Sequence, residues 1–516
     1  MKIKGRKNRV IIASLSGIIF SVISLVLSFV LRTYLIKNIG IEYVGLITFL
    51  TEIFGLLTAL DGGACSSLFI KIHRPIAEKD IFETRSIFRL IKIVYAIRGA
   101  LVFVVGLIIF FLLPVLTSDL EIPINYIRIA FLIYLVLNSA SYLFIYYEFL
   151  LEAYQLRFTT NLVTFLVTVF STMINIVLLF IFKNFLLYLF IVVFAQIISF
   201  IICKIIAKKM HKELFDKKSG YRPTNQGEIK DMFKITYYTL SNVVVKNTDN
   251  ILITKFFGFS VNGIYSTYKM LNTQIFNILG KIKYAVQDST RNYLVLSDNE
   301  KSRDLIYDLT FIYFWIGGFC SICLAVLSTP FIKLWLGADY ILTITPVALT
   351  VFTLFLEMLV FPMDDAFYST ESYKNNRFVP VVEILINLSV SIVLGVYFGI
   401  SGIMIGTICY LLYKTIVRGF ILFKKTYKLN AISYYLRVLF YSITVCAVFL
   451  ITYCFCNYLL SLDGIIGFIY QIGICIVFPN IVFFLLFFRT KEFKYFKVVI
   501  KELLRKIFRK NVKSNN

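Results

Sequence analysis

Ionisable side chains lie inside long apolar segments of this sequence, where a charge is costly. The basic ones are Arg32, Arg98, Lys246 and Lys269, together with Arg128 nearer a segment end. A charged group in hydrocarbon is unfavourable by about 2.5–3.5 kcal/mol or more unless it faces water or a partner. Guanidinium and ammonium groups bind phosphate and carboxylate. The five cations therefore predict a central site for an anionic substrate.

Acidic residues accompany these cations. Glu52, Asp249 and Glu357 also lie within apolar segments. They are candidates to hold a coupling proton or Na⁺, or they neutralise the cations. Asp61 and Lys281 lie nearer the predicted cytoplasmic side, where they are candidates for an inner gate; solvation at the interface explains them equally well.

Polar residues recur at steps of three and four in three of the apolar segments, which places them on one face of a helix. The stripes comprise Ser14, Gly17, Ser21, Ser24, Ser28 and Arg32; Asn242, Lys246, Asp249 and Asn250; and Asn262, Ser266, Lys269, Thr273 and Asn277. Such faces either pack, with Arg32–Glu52 and Asp249–Lys269 as ion pairs, or line an aqueous cavity. The charged positions favour the cavity.

The apolar segments themselves dominate the composition. Hydrophobic residues make up 59% of 516 positions and the mean hydropathy is +0.82, against about 45–50% apolar for a soluble domain. This predicts an all-α integral membrane protein with about fourteen transmembrane helices. The predicted spans are 10–36, 43–69, 88–113, 123–147, 159–182, 184–206, 234–256, 261–284, 305–330, 342–366, 378–398, 400–422, 433–458 and 464–488.

The net charge of +24 is distributed mainly between the spans and in the C-terminal tail. Lys and Arg cluster in the connections 71–92, 204–234, 281–303 and 414–437, which the positive-inside rule assigns to the cytoplasm. Both termini are then cytoplasmic, which requires an even number of spans. This placement indicates a membrane protein and no nucleic-acid partner.

A weak internal repeat divides the chain. Gly40 and Gly45 recur as Gly258 and Gly263 at an offset of 218 residues, and Lys37 recurs as Lys255. Gly62 recurs as Gly280 at the same offset. These four matches in register predict two pseudo-symmetric lobes with a parallel repeat, an arrangement that transporters use for alternating access.

The repeat and the charge distribution together set the predicted domain boundaries. They are an N-terminal lobe of six spans at 1–207, a basic cytoplasmic linker at 208–233, a C-terminal lobe of six spans at 234–425, two further spans at 426–489, and a basic amphipathic tail at 490–516. The tail is predicted to lie on the anionic inner leaflet, so anionic lipids are expected partners.

Several kinds of catalytic motif do not occur in the sequence. There is no G-x-x-x-x-G-K-[ST], no G-x-S-x-G and no H-E-x-x-H. The nine cysteines are scattered, and the two histidines lie in basic connections. We therefore expect no enzyme activity, no catalytic residue, no cofactor and no metal; transport would be secondary.

Two segments resemble a known family. Residues 31–40, LRTYLIKNIG, continue through Gly45 to 60–62, LDG; residues 249–258 continue through Gly263 to Tyr265. Together with the span count, the length and the two-half layout, they resemble the Wzx-type polysaccharide or O-antigen flippases of the multidrug/oligosaccharidyl-lipid/polysaccharide superfamily.

This resemblance implies two lobes around a central cationic cavity, a layout shared with the MATE transporters of the superfamily. The cargo would be an undecaprenyl-pyrophosphate-linked oligosaccharide, carried from the inner to the outer leaflet of the bacterial cytoplasmic membrane. Arg32, Lys246 and Lys269 would meet the pyrophosphate or acidic sugars. The resemblance also implies a polysaccharide polymerase and other glycan-assembly proteins as partners.

Three alternatives remain open. A lipid II flippase shares the architecture, but its Gly-x-x-Arg-Asp segment in span 1 and Pro-Asn segment in span 2 are missing here. An ion-coupled multidrug or small-molecule extruder would prefer an acidic cavity. A membrane-embedded glycan polymerase or ligase would carry a large outer loop, whereas the predicted outer connections are short.

Overall fold

A computed structural model of the chain contains helices joined by turns, with no strand in the part that it describes. This part comprises residues 3–58, 64–117, 121–215, 236–373, 376, 378–459, 464–499 and 501. The helices are long because apolar segments in hydrocarbon must satisfy their backbone hydrogen bonds internally. The chain divides into two compact units, Met1–Ser266 and Thr267–Asn516.

Unit 1 contains nine helices and the first part of a tenth within the described residues. They are α1 (Ile3–Asn38), α2 (Ile41–Thr58), α3 (Ala64–Glu78), α4 (Ile81–Leu116), α5 (Ile124–Ser141), α6 (Tyr146–Ala153), α7 (Arg157–Phe182), α8 (Phe185–Met210), α9 (Lys212–Phe215) and α10 (Thr236–Leu296). Helix α1 packs against α7, α7 against α8, and α5 against both α4 and α8. Side-chain caps begin two of them: Asp80 accepts from Glu83 N, and Asn184 accepts from Leu187 N.

Helix α10 consists of two helical arms joined at Gly258, whose φ of 84° and ψ of 178° suit glycine alone. Glu121 stabilises the start of the second arm, since its Oε2 accepts from Ser260 N and Ser260 Oγ, each at 2.8 Å. Gly40, the repeat partner of Gly258, also has a positive φ, 129°, between α1 and α2. The repeat predicted from the sequence thus joins helix to helix through the same residue type in both copies.

The described part of unit 2 contains the rest of α10, six further long helices, short helical segments at Ala338–Tyr340, Ile421–Thr426 and Phe455–Leu459, and the helical residues 491–499. The six long helices are α11 (Asn299–Trp335), α12 (Ile344–Ser369), α13 (Val379–Phe398), α14 (Ile400–Phe420), α15 (Ile432–Cys454) and α16 (Gly464–Phe487). Helix α12 packs against α11 and α14, α13 forms a hairpin with α14, and α11 packs against α15 and α16. At the α13–α14 hairpin the backbones approach closely, since a Cβ on Gly402 would lie 1.9 Å from Leu394 O.

Eleven helices in the described residues are long and apolar enough to span a membrane. The three predicted spans outside this set, 43–69, 234–256 and 261–284, correspond to α2 with the start of α3 and to the two arms of α10. The polar stripe of α10 explains why composition alone does not mark its arms as spans. The all-helical, multi-span prediction is confirmed; the count of fourteen and the cytoplasmic termini stay predictions.

The domain boundaries also stay predictions, because most of the linker 208–233 lies outside the described residues. Residues 491–499 of the tail are helical. In this part, Phe496 is buried with its ring centroid 5.4 Å from that of Trp315 on α11. Phe496, on the apolar face of the tail, therefore packs on α11. Contact of the tail with the membrane stays a prediction for the residues beyond 499.

Candidate functional site

Arg32 is half-buried in unit 1 and joins α1 to the second arm of α10. Its Nη2 donates to Ser266 Oγ at 2.7 Å, and its Nη1 donates to Ser266 O at 3.2 Å. The same hydroxyl donates to Gly263 O at 2.9 Å. Two neutral oxygens of Ser266 thus orient the guanidinium, a group that forms strong hydrogen bonds with anions.

Glu52 lies on α2 and accepts a hydrogen bond from Asn250 Nδ2 on the first arm of α10. Asn250 is fully buried and its neighbour Asp249 is 7% exposed, whereas Lys246 is exposed. The first arm thus presents its two innermost predicted polar residues towards the interior of unit 1. Glu52 and Asp249 remain candidates for coupling-ion or charge-balancing roles.

The two repeat-related glycines contact each other's helices within unit 1. A Cβ on Gly45 would lie 1.9 Å from Phe259 O, and a Cβ on Gly263 would lie 2.2 Å from Ile41 O. Asn262 adds a hydrogen bond from its Nδ2 to Gly45 O at 3.1 Å. Because Phe259 and Ile41 are themselves separated by the offset of 218 residues, the two glycine contacts are reciprocal.

Arg98 and Arg128 lie where α4 packs against α5. The Arg98 guanidinium carbon is 4.9 Å from the Tyr142 ring centroid, and that of Arg128 is 5.7 Å from the Phe110 centroid. Aromatic faces stabilise such cations in a dry setting. Each guanidinium therefore has a packing contact at a helix interface, and the substrate-binding role of both stays a prediction.

The remaining predicted site residues lie in unit 2 or outside the described residues. Lys269 is half-buried on the second arm of α10, and Glu357 is half-buried on α12. Lys281 also lies on α10, but its side chain is outside the described part, as is the whole of Asp61. The proposed inner gate therefore stays a prediction. Within the described part of the chain, no cluster of His, Cys, Asp and Glu is arranged to hold a metal ion.

Unit 2 contains a buried network that the sequence analysis did not identify. Its four members, named the charged tetrad below, are Asp364 on α12, Glu383 on α13, and Lys414 and Arg418 on α14. Arg418 and Glu383 are fully buried, and two nitrogens of Arg418 donate to the two oxygens of Glu383 at 2.9 and 2.8 Å. This is the bidentate geometry that makes arginine–carboxylate pairs strong.

The second carboxylate of the charged tetrad bridges both cations. Asp364 Oδ1 accepts from Arg418 Nη1 at 3.0 Å, and its Oδ2 lies 2.6 Å from Lys414 Nζ. Two acids and two bases give the tetrad no net charge. It therefore ties α12, α13 and α14 together rather than offering charge to a ligand.

The predicted basic connection 414–437 overlaps the end of the predicted span 400–422, and the structure places the shared residues Lys414 and Arg418 in a helix. Helix α14 continues to Phe420, so Lys414 and Arg418 lie inside it. Burial is tolerated because each cation has a carboxylate partner. The signal available in the sequence was Glu383, an acid within predicted span 378–398, which requires a basic partner on another helix.

No protein-family model and no curated protein matches the sequence. Solved structures do resemble it. A MATE transporter from Vibrio cholerae aligns with a TM-score of 0.57 at 13% identity, covering 83% of this chain and 98% of that one. The lipid II flippase MurJ in an inward closed conformation aligns with a TM-score of 0.56 at 17% identity, covering 92% and 99%.

The fold is that of the MATE and MurJ transporters. An inward-facing multidrug resistance MATE family transporter of the MOP superfamily gives a similar match, with a TM-score of 0.55 at 14% identity over 78% of this chain and 96% of that one. The three alignments cover 96–99% of the neighbours and 78–92% of this chain. At such identities the likeness concerns the fold alone, and cargo must be argued from the site.

Proposed function

We propose that the chain is a secondary transporter that moves an undecaprenyl-pyrophosphate-linked oligosaccharide from the inner to the outer leaflet by alternating access. The observation that carries the proposal is Arg32, a half-buried guanidinium oriented by the neutral Ser266 within a transporter fold. A diphosphate is the ligand that such a cation fits best. The cell-surface glycan, the bacterial cytoplasmic membrane and partnership with glycan-assembly proteins are parts of this proposal.

The excess of basic residues supports an anionic cargo over a cationic drug. Lys269 lies on the same polar stripe of α10 as Ser266. The comparison with MurJ supports a lipid-linked cargo, because that protein is named as a flippase of lipid II. The missing lipid II segments in spans 1 and 2 favour a different glycan.

Removal of either cation is expected to abolish glycan transport while the protein stays in the membrane. Arg32→Ala and Lys269→Ala each remove a charge that the diphosphate would meet, whereas the matched exposed changes Arg74→Ala and Lys301→Ala remove charges at the surface. The measurement is translocation of a fluorescent polyprenyl-linked oligosaccharide in reconstituted vesicles. Normal translocation by both the Arg32 and the Lys269 variants would rule out the assignment.

A multidrug extruder is the second candidate, because two of the neighbours are MATE transporters. Its cargo would be held by Glu52 or Asp249, of which Asp249 is 7% exposed. The test is efflux of a cationic dye from vesicles that contain the protein. Efflux that is abolished by Glu52→Gln or Asp249→Asn, without any movement of the glycan, would favour this candidate.

A further inference from the structure

The second arm of α10 carries a row of polar side chains beyond Lys269. Lys283, Gln287 and Arg291 follow each other at steps of four residues and therefore lie on one face of the helix. All three side chains reach a single carboxylate, Asp365 on α12. The cluster lies within unit 2 beside the charged tetrad: Asp365 follows Asp364 in the sequence, and the charge of Lys283 interacts with those of Asp364 and Lys414.

The contacts of the two cations with Asp365 are long. Lys283 Nζ lies 3.7 Å and Arg291 Nη2 lies 3.5 Å from the same oxygen, Asp365 Oδ1. Gln287 Nε2 occupies the short position on that oxygen, at 2.6 Å. Strong charge-assisted bonds are about 2.7–2.9 Å long, so one oxygen serves both cations incompletely.

Other observations show that the basic groups have capacity for a further acceptor. The ammonium of Lys283 lies 3.8 Å from the centroid of Phe361, and a cation–π contact takes up no hydrogen-bond acceptor. The Nε of Arg291 is buried and has no hydrogen-bond partner among the side chains that the structure describes. The Arg291 side chain as a whole is 43% exposed, so a ligand can reach it.

Charge balance distinguishes this cluster from the tetrad. The tetrad matches two acids with two bases at 2.6–3.0 Å. In this cluster, two cations share one acid among the described side chains, which leaves a net charge of about +1. An oxyanion with several acceptor atoms would satisfy Lys283, Arg291 and the Arg291 Nε together. The single oxygen Asp365 Oδ1 cannot satisfy all of these donors.

We propose that Lys283, Gln287 and Arg291 form a diphosphate-binding site in which Asp365 Oδ1 holds the position of a phosphate oxygen when no substrate is bound. The choice of diphosphate rests on the proposed function, because the cargo proposed there carries that group. The site lies on the same helix as Lys269, 14 residues further along, which corresponds to about 21 Å of helix rise. This diphosphate site is therefore a second binding site for the headgroup, nearer the C-terminal end of α10.

Binding of inorganic pyrophosphate to the full-length protein in neutral phosphatidylcholine nanodiscs tests the site. Lys283→Gln and Arg291→Gln are each expected to weaken binding about tenfold, the effect of one lost charge-assisted hydrogen bond. Asp365→Asn is expected to strengthen binding severalfold, because it removes the competing carboxylate. A purely structural cluster would not produce this opposite sign.

Controls come from the neighbouring helix. Lys301→Gln and Arg303→Gln remove the same charges from α11, where each base pairs locally with an acid, and they are expected to leave binding unchanged. Pyrophosphate binding by the Lys283→Gln/Arg291→Gln double variant equal to that of the unmodified chain would overturn the site. The midpoint of thermal unfolding, measured on the same samples, separates lost binding from lost folding.

Two further comparisons identify the source of the anion and separate this inference from the proposed function. Equal competition by phosphatidylglycerol in the nanodisc would overturn the diphosphate assignment in favour of a lipid headgroup. Normal glycan translocation by the double variant would overturn the diphosphate site alone and leave the proposed function standing. The reverse result is also informative: the protein could bind pyrophosphate through Lys283 and Arg291 and yet move no lipid-linked glycan. That result would support the diphosphate site and contradict the proposed function.

Discussion

Replacing Arg418 with methionine is expected to destabilise unit 2 by about 3–5 kcal/mol, the usual result of removing one partner from a buried ion pair. Arg418 contacts both carboxylates of the charged tetrad, Glu383 in bidentate fashion and Asp364 at 3.0 Å. Its loss leaves Glu383 as a fully buried acid without this basic partner. The midpoint of thermal unfolding should fall by about 10 °C for a unit of this size.

A double variant separates packing from function in the tetrad. In Arg418→Met/Glu383→Met both buried charges are removed while Lys414 keeps Asp364 at 2.6 Å, so most of the lost stability should return. Restored stability with normal transport would identify the tetrad as a fixed helix clamp. Restored stability without transport would show that the charges take part in the transport cycle.

The matched control is an ion pair at the surface. Arg303→Met removes an arginine whose partner Asp304 is 65% exposed, and exposed pairs contribute about 0–1 kcal/mol. The unfolding midpoint should therefore change little. An Arg418→Met protein as stable as the Arg303→Met control would contradict the assignment of the tetrad as the main link among α12, α13 and α14.

The contacts within the charged tetrad are not visible in the sequence. Arg418 is 35 residues from Glu383 and 54 from Asp364, and no local periodicity reports a pairing at such separations. Hydropathy placed Lys414 and Arg418 within the predicted span 400–422, whereas the positive-inside rule also counted them in the basic connection 414–437. The helix continues through them because partners on α12 and α13 remove the penalty for burying charge.

The glycine repeat is visible in the sequence, and the structure shows the conformation that it serves. Gly40 and Gly258 both have positive φ, 129° and 84°, which glycine adopts without strain. By contrast, Arg98 illustrates what a charge inside a span leaves open, because packing against the Tyr142 ring accommodates it without a substrate.

Alanine at either glycine of the repeat-related contact is expected to break the packing of α2 on α10. A Cβ at Gly45 would lie 1.9 Å from Phe259 O and one at Gly263 would lie 2.2 Å from Ile41 O, so in both cases a backbone must shift. Overpacking of this kind costs about 1–3 kcal/mol and occasionally more. The control is Gly473→Ala on α16, where no atom lies within 4 Å of the added carbon, and its effect on stability should be neutral or slightly favourable.

The double variant Gly45→Ala/Gly263→Ala tests whether the two close approaches belong to one contact. Once the first alanine has separated the helices, the second meets no carbonyl, so the combined cost should be clearly smaller than the sum of the single costs. The opening itself is measured by the reaction of an Asn262→Cys side chain with a membrane-impermeant thiol reagent, because Asn262 is fully buried and bonded to Gly45 O. Each alanine should raise that reactivity above the background of the native cysteines.

The same glycine variants should also alter the transport rate. In an alternating-access carrier, a contact made in one conformation and released in another sets the balance between the two conformations. A contact weakened by alanine would therefore shift that balance towards the conformation in which α2 and α10 are apart. Two results would contradict this view: strictly additive costs of the two alanines, or a cysteine at position 262 that stays unreactive in the Gly45→Ala protein. Either result would mean that the helices accommodate the alanine without separating and that the glycines do not control this contact.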